Sequence, residues 1–177
     1  MNTSNNTVEE IPTPALAFAS SGLAGSNFSD AYSGHADRTD ITAMQVAMAM
    51  FQDPPRWITS LMAVRDGVVG LVGLKTSKGL VAQERQGKVG IFPVRHSSAT
   101  EVVLGEDDKH LDFRVWVHVE PQGSGCRVTA STVVRTHNRL GRVYLATIMP
   151  FHRLISRQML ARALKRLSQN AVTGSSR

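Results

Sequence analysis

Several things are scarce in this sequence, and each scarcity excludes a class of protein. One cysteine, Cys126, stands in 177 residues. It can form no intramolecular disulfide and no thiolate metal cluster, so the fold needs no oxidising compartment. The longest uninterrupted run of apolar residues and glycine, Gly67–Leu74, falls far short of the roughly 20 residues that span a bilayer. The first residues have neither the basic start nor the apolar stretch of a secretory signal. A soluble, cytoplasmic protein is therefore expected. Aromatic residues make up 6%, too few for a surface that stacks bases, and no specific nucleic-acid partner is expected. Acidic residues cease at Glu120. The first 120 residues hold ten bases against fourteen acids, a net −4, whereas the remainder holds ten bases alone, a net +10. That asymmetry points to an anionic partner, with weak contact to an anionic membrane surface as the expected form. The competing reading is a basic helix that is simply solvated. Oligomeric state is not legible.

What is present is a strong period of two. From Lys109, the odd positions Leu111, Phe113, Val115, Val117 and Val119 are apolar, and the even ones His110, Asp112, Arg114, Trp116 and His118 are not aliphatic. Such alternation predicts a strand with one buried face, inside an antiparallel sheet. Glu101–Leu104 and Arg127–Thr136 read as its neighbours, Lys88–Val94 as a short strand that Pro93 ends or confines to an edge, and Asn27–Ala36 as a first strand.

Between the first strand and the sheet, the spacing of Ile41, Met44, Ala47, Met48 and Phe51 predicts a helix capped by Thr39 or Asp40. Asp53-Pro54-Pro55 stops it and starts another, carried by Trp57, Leu61, Val64, Val68 and Leu71. After a turn at Arg135–Gly141, Tyr144, Ile148, Phe151, Ile155 and Met159 share one face of a long helix reaching about Gln169. Pro150 should kink it or mark a new start. Past Met159 the stripe moves to Leu160, Leu164 and Leu167, so the last turns are expected to face something other than the sheet. Residues 1–25 are read as a mobile N-terminal tail, 26–169 as the folded domain and 170–177 as a C-terminal tail. The expected class is α+β, with a curved antiparallel sheet wrapped around a long C-terminal helix and two short helices after the first strand.

The motifs GEDDKHLDFR (Gly105–Arg114), PPRWITSLMAVRD (Pro54–Asp66), VGIFPV (Val89–Val94) and LGRVYLATIMPFHRLISRQML (Leu140–Leu160) together resemble a bacterial domain-of-unknown-function family, number 2867, of the START/Bet v 1-like (SRPBCC, helix-grip) superfamily. The resemblance covers about Phe28 to Leu167. It implies the helix-grip fold and a cavity for an apolar small molecule or lipid, but no particular reaction.

On that basis Phe92, Leu111, Phe113, Val115, Tyr144, Ile148, Phe151, His152, Ile155 and Met159 are the expected ligand-binding residues, with Arg114 joining them if its face turns inward. An arginine there would hold a carboxylate or phosphate; plain core packing is the alternative for the apolar ones. Glu106, Asp107, Asp108, His110 and Asp112 are dense enough in oxygen for a hard cation, but the loop is too short to wrap one, and no metal or cofactor is expected. His137 and His152 flank the last helix start, and sequence places no Ser, Cys or Asp beside either, so no catalytic residue is assigned. Three functions compete: binding of an apolar ligand between sheet and helix; a cyclase or isomerase using the same cavity through Tyr144, His152, Asp112 or Arg114; and an interaction or membrane-surface module working through the basic helix.

Overall fold

A computed structural model describes residues 7–52 and 87–174. Its described strands are β1 (Glu9–Ile11), β2 (Phe28–Ala36), β3 (Lys88–Val89), β4 (Phe92–Ser97), β5 (Glu101–Asp107), β6 (Leu111–Gln122) and β7 (Gly125–Thr136); its helices are α1 (Ala15–Ser21), α2 (Ala43–Phe51) and α3 (Arg139–Gly174). The strands form one antiparallel sheet in the order β1-β2-β7-β6-β5-β4-β3. The sheet is curved and the long helix lies against it, so the class is α+β in the helix-grip arrangement. The second short helix expected from Pro54 to Leu71 lies outside the described residues.

The period-two segment becomes β6, whose whole length pairs with β7, from Leu111 opposite Thr136 to Gln122 opposite Gly125. Val117 and Val119 enter the main core with Val128 and Ala130 of β7, Tyr32 of β2, and Val102 and Leu104 of β5. This inner face is the one α2 and α3 cover. Helix α2 starts at Thr42, not at Thr39 or Asp40: the Thr42 hydroxyl accepts from Gln45 N while the Gln45 side chain accepts from Thr42 N. That reciprocal capping box satisfies two otherwise orphaned donors. The strand expected over Lys88–Val94 is split instead by Gly90, whose φ of 61° turns the chain.

The even positions of β6 face the other way, and here the expectation of a solvated face is corrected. Trp116 is 1% exposed and packs with Ala17 and Val103. Its cover is α1, in the stretch read as a mobile tail, while Glu9–Ile11 adds an edge strand to β2. Helix α1 follows Pro14 and ends at Gly22 in the left-handed region, with Gly22 N donating to Ala19 O. Proline before and glycine after are the residues that such ends favour. Ser20 Oγ ties the helix to the sheet by donating to Glu101 Oε2 at 2.7 Å, and Trp116 Nε1 donates to the same oxygen at 2.6 Å. Burial pushes the Glu101 carboxyl up, but the hydrogen bonds from Trp116 and Ser20, together with the nearby His96 and His118, outweigh it and hold the group below its usual range.

Asn138 caps α3, its Oδ1 accepting from Gly141 N at 2.9 Å. A Cβ on Gly141 would stand 2.2 Å from His110 O, so only glycine lets the helix begin this close to the β5–β6 turn. From there α3 continues as a single helix with Pro150 inside it, and it extends to Gly174, into the stretch expected to be a tail. Its two halves pack differently. Met159, Leu160, Ala163, Leu164 and Leu167 are all buried, and each fully buried leucine contributes about 1.5–3 kcal/mol. The last turns face α2 as well as the sheet, with Leu164 lying against Gly34 of β2. α2 packs beside α3 here, so the helix is covered on two sides and its buried arc widens to include Leu160, Leu164 and Leu167. Gly34 of β2 allows the approach, since a Cβ there would lie 2.5 Å from Leu164 Cδ1. The N-terminal half is sparsely covered: Val143 is 63%, Phe151 51% and Leu154 48% exposed.

Candidate functional site

The sparsely covered end of the grip is where apolar and polar groups meet on the inner face. Strand register sets them in rows. Phe28, Val134, Phe113 and Glu106 stand opposite one another across β2, β7, β6 and β5, and the next inward row is Asp30, Thr132, Val115 and Leu104. Phe113 packs edge-on against Phe92, with centroids 5.6 Å apart, and Phe92 does the same with Phe51 at 5.3 Å. Edge-to-face contacts of this kind favour a fixed ring geometry. Leu111, Phe113 and Val115 are each half-buried, unlike the fully covered Val117 further along the strand.

Into this face α3 presents His152. Its Nε2 lies 3.1 Å from Asp30 Oδ2 and 3.3 Å from Oδ1, with Ser156 Oγ 3.4 Å from the same nitrogen. Tyr32 donates its hydroxyl to Asp30 Oδ2 at 3.5 Å, and the Phe28 ring meets the imidazole edge-on at 6.2 Å. Asp30 is 5% exposed, so its carboxylate depends on these partners in place of water. Burial of the Tyr32 phenol, then the negative Asp30 and Glu10, push its pKa to about 12 against a partial opposing pull from Arg153. The cluster can accept and donate hydrogen bonds to a polar ligand group at the edge of an apolar surface. It is not a nucleophilic triad, because that arrangement uses one ring nitrogen for the acid and the other for the hydroxyl. Here Nε2 serves both Asp30 and Ser156.

The expected ligand-binding residues divide accordingly. Phe92, Val115 and Ile155 are half-buried and pack on the core, and Met159 is buried within it. Tyr144 and Ile148 are half-buried and precede His152 by eight and four residues, a spacing that keeps them on its side of the helix. Phe151 departs from the expectation: it is more than half exposed and points off the sheet-facing side, one residue short of His152. Arg114 stands on the outer face. It is 9% exposed, and its guanidinium donates to Asp107 Oδ1 at 2.7 Å and to the carbonyls of Glu106 and Phe113. Asp112, on the same outer face, lies 3.0 Å from His137 Nε2. Neither Asp112 nor Arg114 therefore converges with His152. Among the described residues, no three His, Cys, Asp or Glu side chains are grouped to hold a metal, and no helix is long and apolar enough to cross a membrane.

Sequence reasoning missed Asp30, Tyr32 and Ser156. Ser156 follows His152 by one helical turn and was within reach of a spacing argument. Asp30 interrupts the first strand with a charge on the side of Tyr32, which is the sign of a buried carboxylate needing a partner.

A curved antiparallel sheet with a long C-terminal helix lying against it is the helix-grip arrangement, and here the Asp30–His152 pair sits at the sparsely covered end of the seam. Residues 23–159 match the family described as "Protein of unknown function (DUF2867)", and the chain belongs to that family. No curated protein and no solved structure matches it.

Proposed function

We propose that this is a bacterial, cytoplasmic protein of the START/Bet v 1-like superfamily that holds an apolar small molecule or lipid between the inner face of the sheet and the N-terminal half of α3. One observation carries the reading. Met159 is the first fully buried apolar side chain of the helix, and ahead of it Phe113, Val115, Ile148 and Ile155 stay only half-buried on the side of the Asp30–His152 pair. Ligand sites combine a mostly apolar lining with a few placed polar groups in this way. The apolar lining supplies affinity, and the imidazole fixes the position of the ligand's polar end.

The test is native mass spectrometry of the purified protein for a co-purified molecule, followed by displacement of a naphthalene-sulfonate probe. A bound small molecule, and probe binding weakened by Val115→Trp with the fold intact, are expected. A protein that carries no ligand and binds no probe while native overturns the reading.

One observation favours a second reading, a cyclase or isomerase using the same space. Contacts run from Tyr32 to Asp30, from Asp30 to His152 and from His152 to Ser156, and a histidine held by a carboxylate is suited to proton transfer. Conversion of the co-purified ligand by the wild type and not by His152→Gln would decide for it.

A further inference from the structure

The unbroken course of α3 through Pro150 puts residues from both sides of that proline on one outward arc. At about 100° per residue, Arg139, Arg142, Arg153 and Arg157 form a basic stripe, and Val143, Leu154 and Phe151 form an apolar one beside it. All seven side chains are exposed. Their apolar members are three of the five large hydrophobic side chains exposed among the described residues. None of the four arginines forms a salt bridge with another described residue, and no acidic residue follows Glu120 in the chain to supply one locally.

We propose that this half of α3 docks the protein on an anionic bilayer surface. Val143, Phe151 and Leu154 enter the boundary between headgroups and acyl chains, while Arg142, Arg153 and Arg157 contact lipid phosphates. Adjacent basic and apolar stripes are what an in-plane interfacial helix requires, since its apolar side gains burial and its cations gain the negative surface potential. Nucleic acid would satisfy the arginines and leave the three apolar side chains in water. The binding is reversible and salt-sensitive, because Debye screening weakens the charge component directly.

Cosedimentation of the full chain with mixed phosphatidylserine–phosphatidylcholine vesicles, and with phosphatidylcholine alone, tests this at low and high salt. Binding to the mixed vesicles at low salt only is expected. Arg153→Glu with Arg157→Glu, and separately Leu154→Asp, should each lower the partition about tenfold or more without changing the melting temperature. Arg127→Glu with Arg135→Glu makes the same change in net charge elsewhere and should have a much smaller effect. Failure to sediment with the mixed vesicles, equal sedimentation with the neutral ones, or an equal loss in the control pair overturns the proposal. So does size-exclusion chromatography in which Leu154→Asp converts a dimer to a monomer, because a second copy then covers the arc.

Discussion

Asp30 and His152 meet across the seam between β2 and α3, Oδ2 standing 3.1 Å from Nε2 with the carboxylate nearly sealed from water. The two residues are 122 positions apart, and the pair joins the part of the helix that has the least apolar cover. A buried ionisable group that loses its partner keeps its desolvation cost. Asp30→Asn and His152→Ala should therefore be strongly non-additive, with a coupling of about 1–3 kcal/mol in a double-mutant cycle of denaturant melts. Additivity within about 0.5 kcal/mol would show that the two side chains do not depend on each other.

The two faces of β6 should differ in the opposite sense to a one-sided sheet. Trp116 is the largest fully buried side chain among the described residues, whereas Phe113 remains half-open. Trp116→Ala is expected to cost roughly 3–5 kcal/mol, the range for buried aromatics, and Phe113→Ala clearly less. Asp112→Ala should cost no more than about 1–3 kcal/mol, for the lost contact with His137. Urea melts rank the three. A Phe113 variant as damaging as the Trp116 one would mean that the inner face is closed.

Tyr32 gives the fold an alkaline limit. Its phenol is favoured in the neutral form, so the folded protein holds that proton more tightly than the unfolded chain does. The resulting stability is complete below pH 10.0 and disappears as the pH rises through about 12, a difference of about 3 kcal/mol at most. Tyrosinate absorbance should show a late-ionising component that Tyr32→Phe removes. If nothing ionises later than ordinary tyrosine while the circular dichroism stays native, the phenol is not buried beside Asp30.

Cys126 is 2% exposed, and burial, then the Asp40 carboxylate, push its thiol pKa up. Only the thiolate attacks disulfide reagents. The native protein should thus react with a chromogenic disulfide at the rate of unfolding, and guanidinium should release the full stoichiometry at once. Fast reaction in the native state would place Cys126 at the surface.

Much of the architecture was legible because periodicity reports burial directly. Leu111–Val119 alternates since one face of β6 meets the helices, and Leu160, Leu164 and Leu167 recur at helical spacing since they close the core. The outer face was misread because its cover is a short helix of small residues, Ala15–Ser21, with too little polar contrast to produce a stripe. Trp116, a large aromatic among charged neighbours on the even face, was the available sign. Pro150 does not mark a new helix start: its missing N–H removes one hydrogen bond, and the helix continues to turns anchored by Met159 and Leu164. The candidate site was half legible. Phe113, Val115 and Ile155 follow from pattern, but the partner of His152 lies on β2, and only tertiary register brings it there.

The strand order has a kinetic consequence. From β3 to β7 each strand pairs with its successor, so that meander consists of hairpins between sequence neighbours. The long-range seam, β2 on β7, joins positions such as Ser33 and Val128, 95 residues apart, through a hydrogen bond of 3.3 Å. Loop closure makes such a pairing slow. The buried half of α3 depends on that seam, because Leu164 rests where Gly34 leaves room. Until β2 arrives, the chain carries a finished hairpin stack and a helix whose Leu164 lacks its sheet-side wall at Gly34, which makes the closing of the grip a late step of folding by topology.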